Sequence, residues 1–416
     1  MVAMGWALAT PAMAQDSASS DAINNRDDII IVTAQKREEQ LLDVPISLAA
    51  LGEKQLEQQQ VSELRDFVGQ VPNLLINNFN AQSDTVRLFI RGIGQNDVSL
   101  TQDPSVALYV DGVYVGTTIG GGFESGDLER IEVLRGPQGT LYGRNATGGA
   151  INIISNKPDT SGPAAKASFT VGNYDLRRAS AMVNVPLTDR LAVRGTIVKV
   201  DRDGLQKNLG IGADFSEQNR FSARGSVRFE PTNTVTIDYA YDYSLTKDSG
   251  TLSVPVEGAP RTTAIGAPFG VPGTGGLAEA TTFIVSEFTN AAPFTEGRLD
   301  EALTLRPVPY GRGEVKGHTA SIAWDASDAL TLKALFGHRA IDNHQVPDSI
   351  LTSETFIRTI ITSSVIPTLP VGAVINEVGP NAAARTDATV DFKSTSVELQ
   401  AVGVLPFSAG SLDYVA

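Results

Sequence analysis

The C-terminal part of the chain, residues 165–416, alternates apolar and polar residues along extended segments. In one segment Val235 and Ile237 fall on one face, while Thr236 and Asp238 fall on the other. The same two-residue period recurs at 221–229, 330–336 and 396–401. Strands of about ten residues with charge on the polar face favour an apolar side towards lipid and a wet interior. We therefore predict an antiparallel, up-and-down transmembrane β-barrel, incomplete in this chain, with about nine strands.

The connections between these segments alternate between short and long. The short ones are 186–190, 231–233, 325–328 and 405–410. The long ones are 201–219, 244–313 and 341–389. In an up-and-down barrel every second connection lies at the same rim, so one rim is predicted to be short and the other elaborate.

The N-terminal part follows a different pattern. Residues 1–14 end in Ala-x-Ala, typical of the cleavage side of a secretory signal, but lack a positive start, so we expect a truncated signal peptide. Residues 15–43 are mostly polar and predict a disordered arm. Residues 44–158 predict a small α+β domain.

Within that domain we predict strands at 44–51, 85–91 and 106–115, and a helix over 52–72 that ends before Pro72. The apolar residues at helical spacing are Leu56, Val61, Leu64, Phe67, Val68 and Val71. Asp111-Gly112 is a tight hairpin signal inside the last strand segment.

Composition narrows the function classes. The chain has 33 basic and 47 acidic residues, a net charge of -14, which argues against nucleic acid as a partner. With no cysteine there are no disulfides or thiolate metal sites. His318, His338 and His344 are scattered in sequence, and we interpret them as solvated loop or lumen side chains. No cofactor, metal site or catalytic motif is predicted, so we do not expect an enzyme.

A glycine-rich loop over 136–149 lies between predicted strands at 130–134 and 150–154. We expect its glycines and its proline to set its shape. Together with one tyrosine, the residues of this motif are Gly136, Pro137, Gly139, Tyr142, Gly143, Gly148 and Gly149. Arg135 and Arg144 can fork onto carboxylates around the loop. No Lys-Ser/Thr follows the glycines, so a phosphate-binding loop is disfavoured.

The run ERIEVLRGPQGTLYGR followed by TGGAINIIS resembles the plug-domain signature of TonB-dependent outer-membrane receptors. The resemblance implies that 44–158 is the plug and that 165–416 is part of its barrel. It also implies that Arg135 and Arg144 make the charged contacts between plug and barrel wall. Because the family barrel has many more strands, we expect an N-terminal fragment of a longer receptor.

Ile30, Ile31, Val32, Thr33 and Ala34 form an apolar, β-branched run in the predicted arm. The run is similar to the TonB box of the family, an unpaired strand that adds to a partner's sheet edge. The alternative is that it forms the first strand of the plug itself.

The resemblance implies that the protein takes up a scarce nutrient complex actively across the cell outer membrane. It also implies TonB and outer-membrane lipid as partners. A ferric siderophore is the expected cargo; cobalamin, glycans or aromatic compounds are the alternatives. The short rim would face the periplasm and the long loops the outside. In the family, plug loops meet the ligand, so four loop residues are candidates for ligand contact: Gln95, Asn96, Asp97 and Gln102. The alternative is that they are ordinary solvated loop residues. A passive porin or adhesin, and a fragment that never assembles, are the other readings.

Overall fold

The structure is a computed structural model. It describes residues 30–59, 61, 63–79, 82–98, 102–120, 126–209, 212–251, 261–266, 283–290, 301–302, 308, 310–345, 355–361, 374–377, 388–407 and 410–415. The predicted signal peptide and residues 15–29 of the predicted arm lie outside this part. We call residues 30–158 the N-terminal domain.

The N-terminal domain is built on a five-stranded mixed sheet. Its elements are β1 (Ile31–Val32), β2 (Glu39–Gln40), β3 (Leu48–Gly52), α1 (Glu53–Gln58), β4 (Leu74–Phe79), β5 (Gln82–Ile90), β6 (Ile93–Gly94), β7 (Val106–Val110), β8 (Val113–Val115), β9 (Leu128–Arg135), α2 (Gly139–Tyr142) and β10 (Gly149–Ser155). The sheet order is β3-β9-β10-β7-β8, and β10 runs parallel to β7. A second sheet has the order β4-β5-β6. The α+β prediction is therefore confirmed.

The predicted helix over 52–72 is wrong as a continuous element. The structure has α1 and then a 3₁₀ turn, Leu64–Phe67. Glu63 between them is extended, with φ -135° and ψ 164°, and its backbone N–H donates to Asp66. Four of the predicted apolar residues still reach the core, because each short element turns its own face inward: Leu56, Leu64, Phe67 and Val71. Val68 is exposed.

The Asp111-Gly112 hairpin is confirmed. Asp111 has φ 50° and Gly112 has φ 82°, and they join β7 to β8 in antiparallel register. Two consecutive positive φ values are the requirement of a type I′ turn, which matches the twist of the paired strands.

The predicted disorder of the arm is corrected at residues 30–43. β1 pairs with β2, and the side chains of Val32 and Ala34 are fully buried. They pack in a cluster with Tyr109 and Leu134 of the N-terminal domain. The arm is ordered here because its apolar run covers apolar surface of the N-terminal domain.

Residues after 163 form a nine-stranded antiparallel sheet, which we call the large sheet. The strands after β10 are β11 (Ala164–Gly172), β12 (Leu176–Thr188), β13 (Leu191–Arg202), β14 (Lys207–Asn208), β15 (Gln218–Thr232), β16 (Val235–Ser249), β17 (Arg261–Gly266), β18 (Phe283–Asn290), β19 (Glu301–Ala302), β20 (Tyr310–Ser327), β21 (Leu330–Gln345), β22 (Thr355–Ile361), β23 (Val374–Glu377), β24 (Ala388–Phe407) and β25 (Gly410–Val415). The large sheet has the order β11-β12-β13-β15-β16-β20-β21-β24-β25. Within the described residues its end strands, β11 and β25, do not pair with each other, so the barrel is not closed in this part of the chain.

Neighbouring strands of the large sheet follow one another along the chain, as the up-and-down prediction requires. At one end β12 and β13, β15 and β16, and β20 and β21 are each joined by two residues. At the other end β11 and β12 are joined by three residues, whereas the later connections are long and contain the short strands β14, β17, β18, β19, β22 and β23. No helix among the described residues is long and apolar enough to cross a membrane.

The large sheet is polar on the face that contacts the N-terminal domain, which we call the inward face. Asn184, Arg220 and Asn343 are buried there. On the outward face, large apolar side chains such as Trp324 and Leu399 are exposed, at 49% and 74%. This arrangement is the reverse of a water-soluble sheet and is typical of a sheet with lipid outside.

Candidate functional site

A buried carboxylate holds the first strand of the N-terminal domain. Glu132 on β9 is completely buried, and its Oε1 accepts a hydrogen bond from the backbone N–H of Thr33 at 2.7 Å. The Thr33 hydroxyl lies 3.2 Å from the same oxygen. Arg130 Nε, 2.8 Å from Glu132 Oε1, and Asn152 complete the cluster. A buried charge needs such partners, so the chain just after β1 is fixed by an ion-pair network.

A second group of contacts joins the N-terminal domain to the large sheet. Arg194 on β13 donates to both carboxylate oxygens of Asp127, at 2.6 and 2.7 Å. Thr196 adds a hydrogen bond from its hydroxyl at 3.1 Å. Burial raises the pKa of Asp127, but hydrogen bonds from Arg194, Asn156 and Thr196 outweigh it, so the pKa lies below its ordinary value. Asp127 is therefore ionised at neutral pH.

The adjacent strand β15 supplies the next contact. Arg220 is 2% exposed and lies 2.6 Å from both Glu63 of the N-terminal domain and Asp248 on β16. Burial raises the pKa of Glu63, but the positive charges of Arg220 and Arg65 lower it by more, so the pKa lies below its ordinary value. The break in the predicted helix at Glu63 thus places a carboxylate against the sheet.

Arg224 lies on β15 four residues after Arg220 and also pairs with a carboxylate of the N-terminal domain and one of the sheet. One guanidinium nitrogen lies 2.6 Å from Asp111, and another contacts Asp242 on β16. Asp111 belongs to the tight turn between β7 and β8, and it also accepts the backbone N–H of Ser155 at 2.8 Å. The turn therefore presents a carboxylate to the sheet. After four more residues, Arg228 pairs at 2.7 Å with Asp238 of the sheet.

Three lysines make further contacts between the two parts, and one of them, Lys157, lies 3.6 Å from Asp238 on β16. Lys36 lies 3.4 Å from Glu398 on β24, and its Nζ lies above the rings of Tyr109 and Tyr142 at 5.1 and 5.0 Å. Lys166 on β11 pairs with Glu57 of α1.

The glycine-rich loop has the predicted backbone character, with one helical turn, α2, in its middle. Positive φ occurs at Gly136, Gly143 and Gly149, with values of 102°, 69° and 150°. Gly149 pairs with Arg135 across the β9–β10 ladder, and a Cβ on it would lie 2.2 Å from the Leu134 carbonyl oxygen. Tyr142 is buried. The glycines therefore set the turns that connect β9 and β10.

The structure does not support the predicted role of the two loop arginines. Within the described residues, neither Arg135 nor Arg144 forms an ion pair; the Arg144 guanidinium lies 5.9 Å from the centre of the Tyr114 ring. Instead, three described ion pairs to the large sheet place arginines on the sheet and carboxylates on the N-terminal domain. Sequence reasoning missed these residues, although the spacing of Arg220, Arg224 and Arg228 on one polar face was a visible signal.

The candidate ligand residues lie on an exposed loop. Gln95 Nε2 donates to Gln102 Oε1 at 3.2 Å, so these two come together. The Asn96 carbonyl oxygen lies 3.5 Å from Arg87, and Asp97 is exposed. Residues 99–101 lie outside the described part, and the ligand role stays a prediction.

The histidines are not where the sequence interpretation put them. His318 and His338 pair across β20 and β21 with ring centres 6.3 Å apart, on the outward face. Among the residues that the structure describes, no three potential His, Cys, Asp or Glu ligands come together as a metal site.

Comparison with known proteins places these features in context. Residues 40–150 match the TonB-dependent Receptor Plug Domain. Over 208 residues the chain is 31% identical to the vitamin B12 transporter BtuB of Vibrio vulnificus, covering 47% of this chain and 32% of that protein. It is 28% identical over 229 residues to the catecholate siderophore receptor Fiu of Escherichia coli K12, covering 51% of this chain and 28% of that protein. The aligned part thus corresponds to about a third of each relative's length.

Solved structures share the fold. The open form of Fiu from E. coli K12 superimposes with a TM-score of 0.59 at 18% identity, covering 91% of this chain and 49% of that one. The ferripyoverdine receptor of the Pseudomonas aeruginosa outer membrane gives 0.61 at 14% identity, covering 92% of this chain and 43% of that one.

Proposed function

Because the chain belongs to the TonB-dependent receptor family, we propose that it forms the plug and part of the barrel wall of an outer-membrane receptor for active nutrient uptake. The observation that carries this proposal is the polar interface between the N-terminal domain and the large sheet. Asp127, Glu63 and Asp111 meet arginines there. An interface of ion pairs can separate into a water-filled lumen at lower cost than an apolar core, because water solvates the separated charges.

The proposed cargo is a ferric siderophore. Two relatives support it: the catecholate siderophore receptor Fiu by its name, and the iron-regulated outer membrane virulence protein of Vibrio cholerae, 29% identical over 228 residues, by a name that links it to iron. Cobalamin is the second candidate, because the vitamin B12 transporter BtuB is 31% identical to this chain. Glycans and aromatic compounds remain alternatives without a specific observation in their favour.

The proposed energy coupling uses the segment Ile30 to Ala34. β1 has two residues and pairs with a two-residue strand, and Ile31 is 40% exposed. Few backbone bonds hold it, so its release needs the loss of the Thr33–Glu132 contact and the exposure of the buried Val32 and Ala34 side chains. In this proposal ligand binding raises the released population. TonB then pairs with the released strand and pulls on the N-terminal domain.

The test is growth of cells carrying the gene on single iron sources, with Ile31→Pro and Ile31→Val compared. Proline removes a backbone donor and spoils strand addition, whereas valine keeps the donor and the β-branched side chain. We expect growth on at least one ferric siderophore to need the gene, to be lost in the proline variant and to persist in the valine variant.

Ligand binding to isolated outer membranes separates coupling from folding. The proline variant should bind the chelate as the natural protein does. Growth that persists with proline would contradict coupling through this strand. Dependence on the gene for cobalamin, and for no ferric chelate, would replace the siderophore by the second candidate.

A further inference from the structure

The carboxylates that the N-terminal domain presents to the large sheet occupy arginines that would otherwise be available to an anion. Asp127 forks onto Arg194, which has no sheet carboxylate among its described ion pairs. Glu63 and Asp111 lie on Arg220 and Arg224. Each contact has the geometry with which guanidinium binds a carboxylate or another oxyanion.

The N-terminal domain supplies three of the five carboxylates in this patch of the inward face, together with Arg65, which pairs with Glu63. The sheet contributes the arginines Arg194, Arg202, Arg220, Arg224 and Arg339, and the aspartates Asp242 and Asp248. The N-terminal domain contributes the remaining three carboxylates, Glu63, Asp111 and Asp127. Withdrawal of these carboxylates therefore leaves an excess of positive charge on this part of the wall.

The arginines form a column along the strands. Arg202 pairs with Gln218, close to Arg220 and near the end of the sheet that carries the long connections. Arg220 and Arg224 are about 13 Å apart along β15, since a strand rises about 3.3 Å per residue. Arg194 pairs with Ser226, which lies on β15 two residues after Arg224 and therefore closer to the short connections. The column thus runs from the end of the sheet with long connections towards the end with short connections.

We propose that this arginine column is a transit site for a cargo with a negatively charged oxygen periphery, which replaces the carboxylates of the N-terminal domain as that domain moves. The inference rests on the proposed uptake function and deepens it. Arginines that outnumber the carboxylates beside them in a lumen attract anions. A trianionic ferric tris-catecholate supplies the missing charge, whereas uncharged ferric tris-hydroxamates and cobalamin do not.

The Arg194–Asp127 pair offers the cleanest test. The double variant Arg194→Gln, Asp127→Asn removes both charges and keeps an amide pair, so the N-terminal domain retains a contact of similar shape. Arg228→Gln is the control, because Arg228 lies on the same face and pairs with Asp238 of the sheet, and Asp238 keeps Lys157 of the N-terminal domain as a partner at 3.6 Å. Surface binding and energised uptake are measured in cells with all three probes: the ferric tris-catecholate, a ferric tris-hydroxamate and cobalamin.

We expect the natural protein to take up the tris-catecholate. In the Arg194 variant the uptake rate should fall about tenfold while binding is unchanged, and in the control both should be unchanged. Equal rates in the natural protein and the Arg194 variant would overturn the inference and leave the uptake function standing. So would uptake of the uncharged hydroxamate alone. Uptake of none of the three probes, or of cobalamin alone, would overturn both the inference and the proposed siderophore cargo.

Discussion

Arg194 and Asp127 are joined by two parallel hydrogen bonds of 2.6 and 2.7 Å across the boundary between the large sheet and the N-terminal domain. Both side chains are largely buried, at 11% and 7% exposure. Breaking one partner of a buried pair leaves the other without its counter-charge, which costs more than the pair itself contributes. Substitution of either residue alone is therefore expected to weaken the attachment of the N-terminal domain.

The first prediction concerns this pair. Asp127→Asn should lower the free energy of local opening of the N-terminal domain by about 2 kcal/mol, because Arg194 loses a charged acceptor. Hydrogen exchange of the backbone around residue 127 in the intact receptor measures it. Arg194→Gln and the double variant complete a double-mutant cycle. Additive effects of the two single changes would contradict a direct energetic coupling.

The second prediction follows from the lowered pKa values of Asp127 and Glu63. A carboxylate whose folded pKa is below its unfolded value stabilises the folded state above the unfolded pKa and loses that contribution as the pH falls through the folded pKa. The ordinary values are 3.8 for Asp and 4.5 for Glu. Attachment of the N-terminal domain should therefore be constant at neutral pH and weaken as the pH falls below about 4.5.

Hydrogen exchange or limited proteolysis measured from pH 7 to pH 3 would follow this weakening. The Asp127→Asn variant should be less stable at neutral pH but show a smaller change on acidification, since one titrating group is gone. Equal acid sensitivity of the variant and the natural protein would assign the effect to other groups.

The third prediction concerns Glu132 and the strand that it holds. Glu132→Gln keeps the shape of the side chain but leaves Arg130 without its buried counter-charge. We expect residues 30–34 to become more mobile, and their exposure to protease or spin-label motion to increase several-fold. Glu129→Gln is the matched control, because Glu129 also pairs with Arg130 but is 43% exposed. Equal effects of both changes would argue against a specific hold on Thr33.

The fourth prediction compares two glycines of the same loop. Gly149→Ala places a Cβ against a backbone carbonyl at a φ of 150° and should destabilise the N-terminal domain by about 3 kcal/mol or more. Gly139→Ala meets nothing within 4 Å and lies in α2, so it should be neutral or slightly stabilising. Chemical denaturation monitored in the receptor tests both. A tolerated Gly149→Ala would show that β9 and β10 can separate there.

The large sheet and its two faces follow from the local pattern of apolar and polar residues. A two-residue period is a local property of an extended chain, so Val235 and Asp238 could be assigned to opposite faces without knowledge of their neighbours. Short connections likewise force antiparallel pairing of consecutive strands. The Asp111-Gly112 turn and the glycine loop were predictable for the same reason, since their φ requirements belong to the residues themselves.

Tertiary structure decided which charges meet and which segments are ordered. Asp127 is 67 positions from Arg194 and Thr33 is 99 positions from Glu132, and no local pattern selects such partners. The resemblance pointed to Arg135 and Arg144, but the described contacts use sheet arginines. The helix breaks at Glu63, and the arm residues Val32 and Ala34 are buried, because the energy of pairing a charge or covering an apolar surface outweighs local preference.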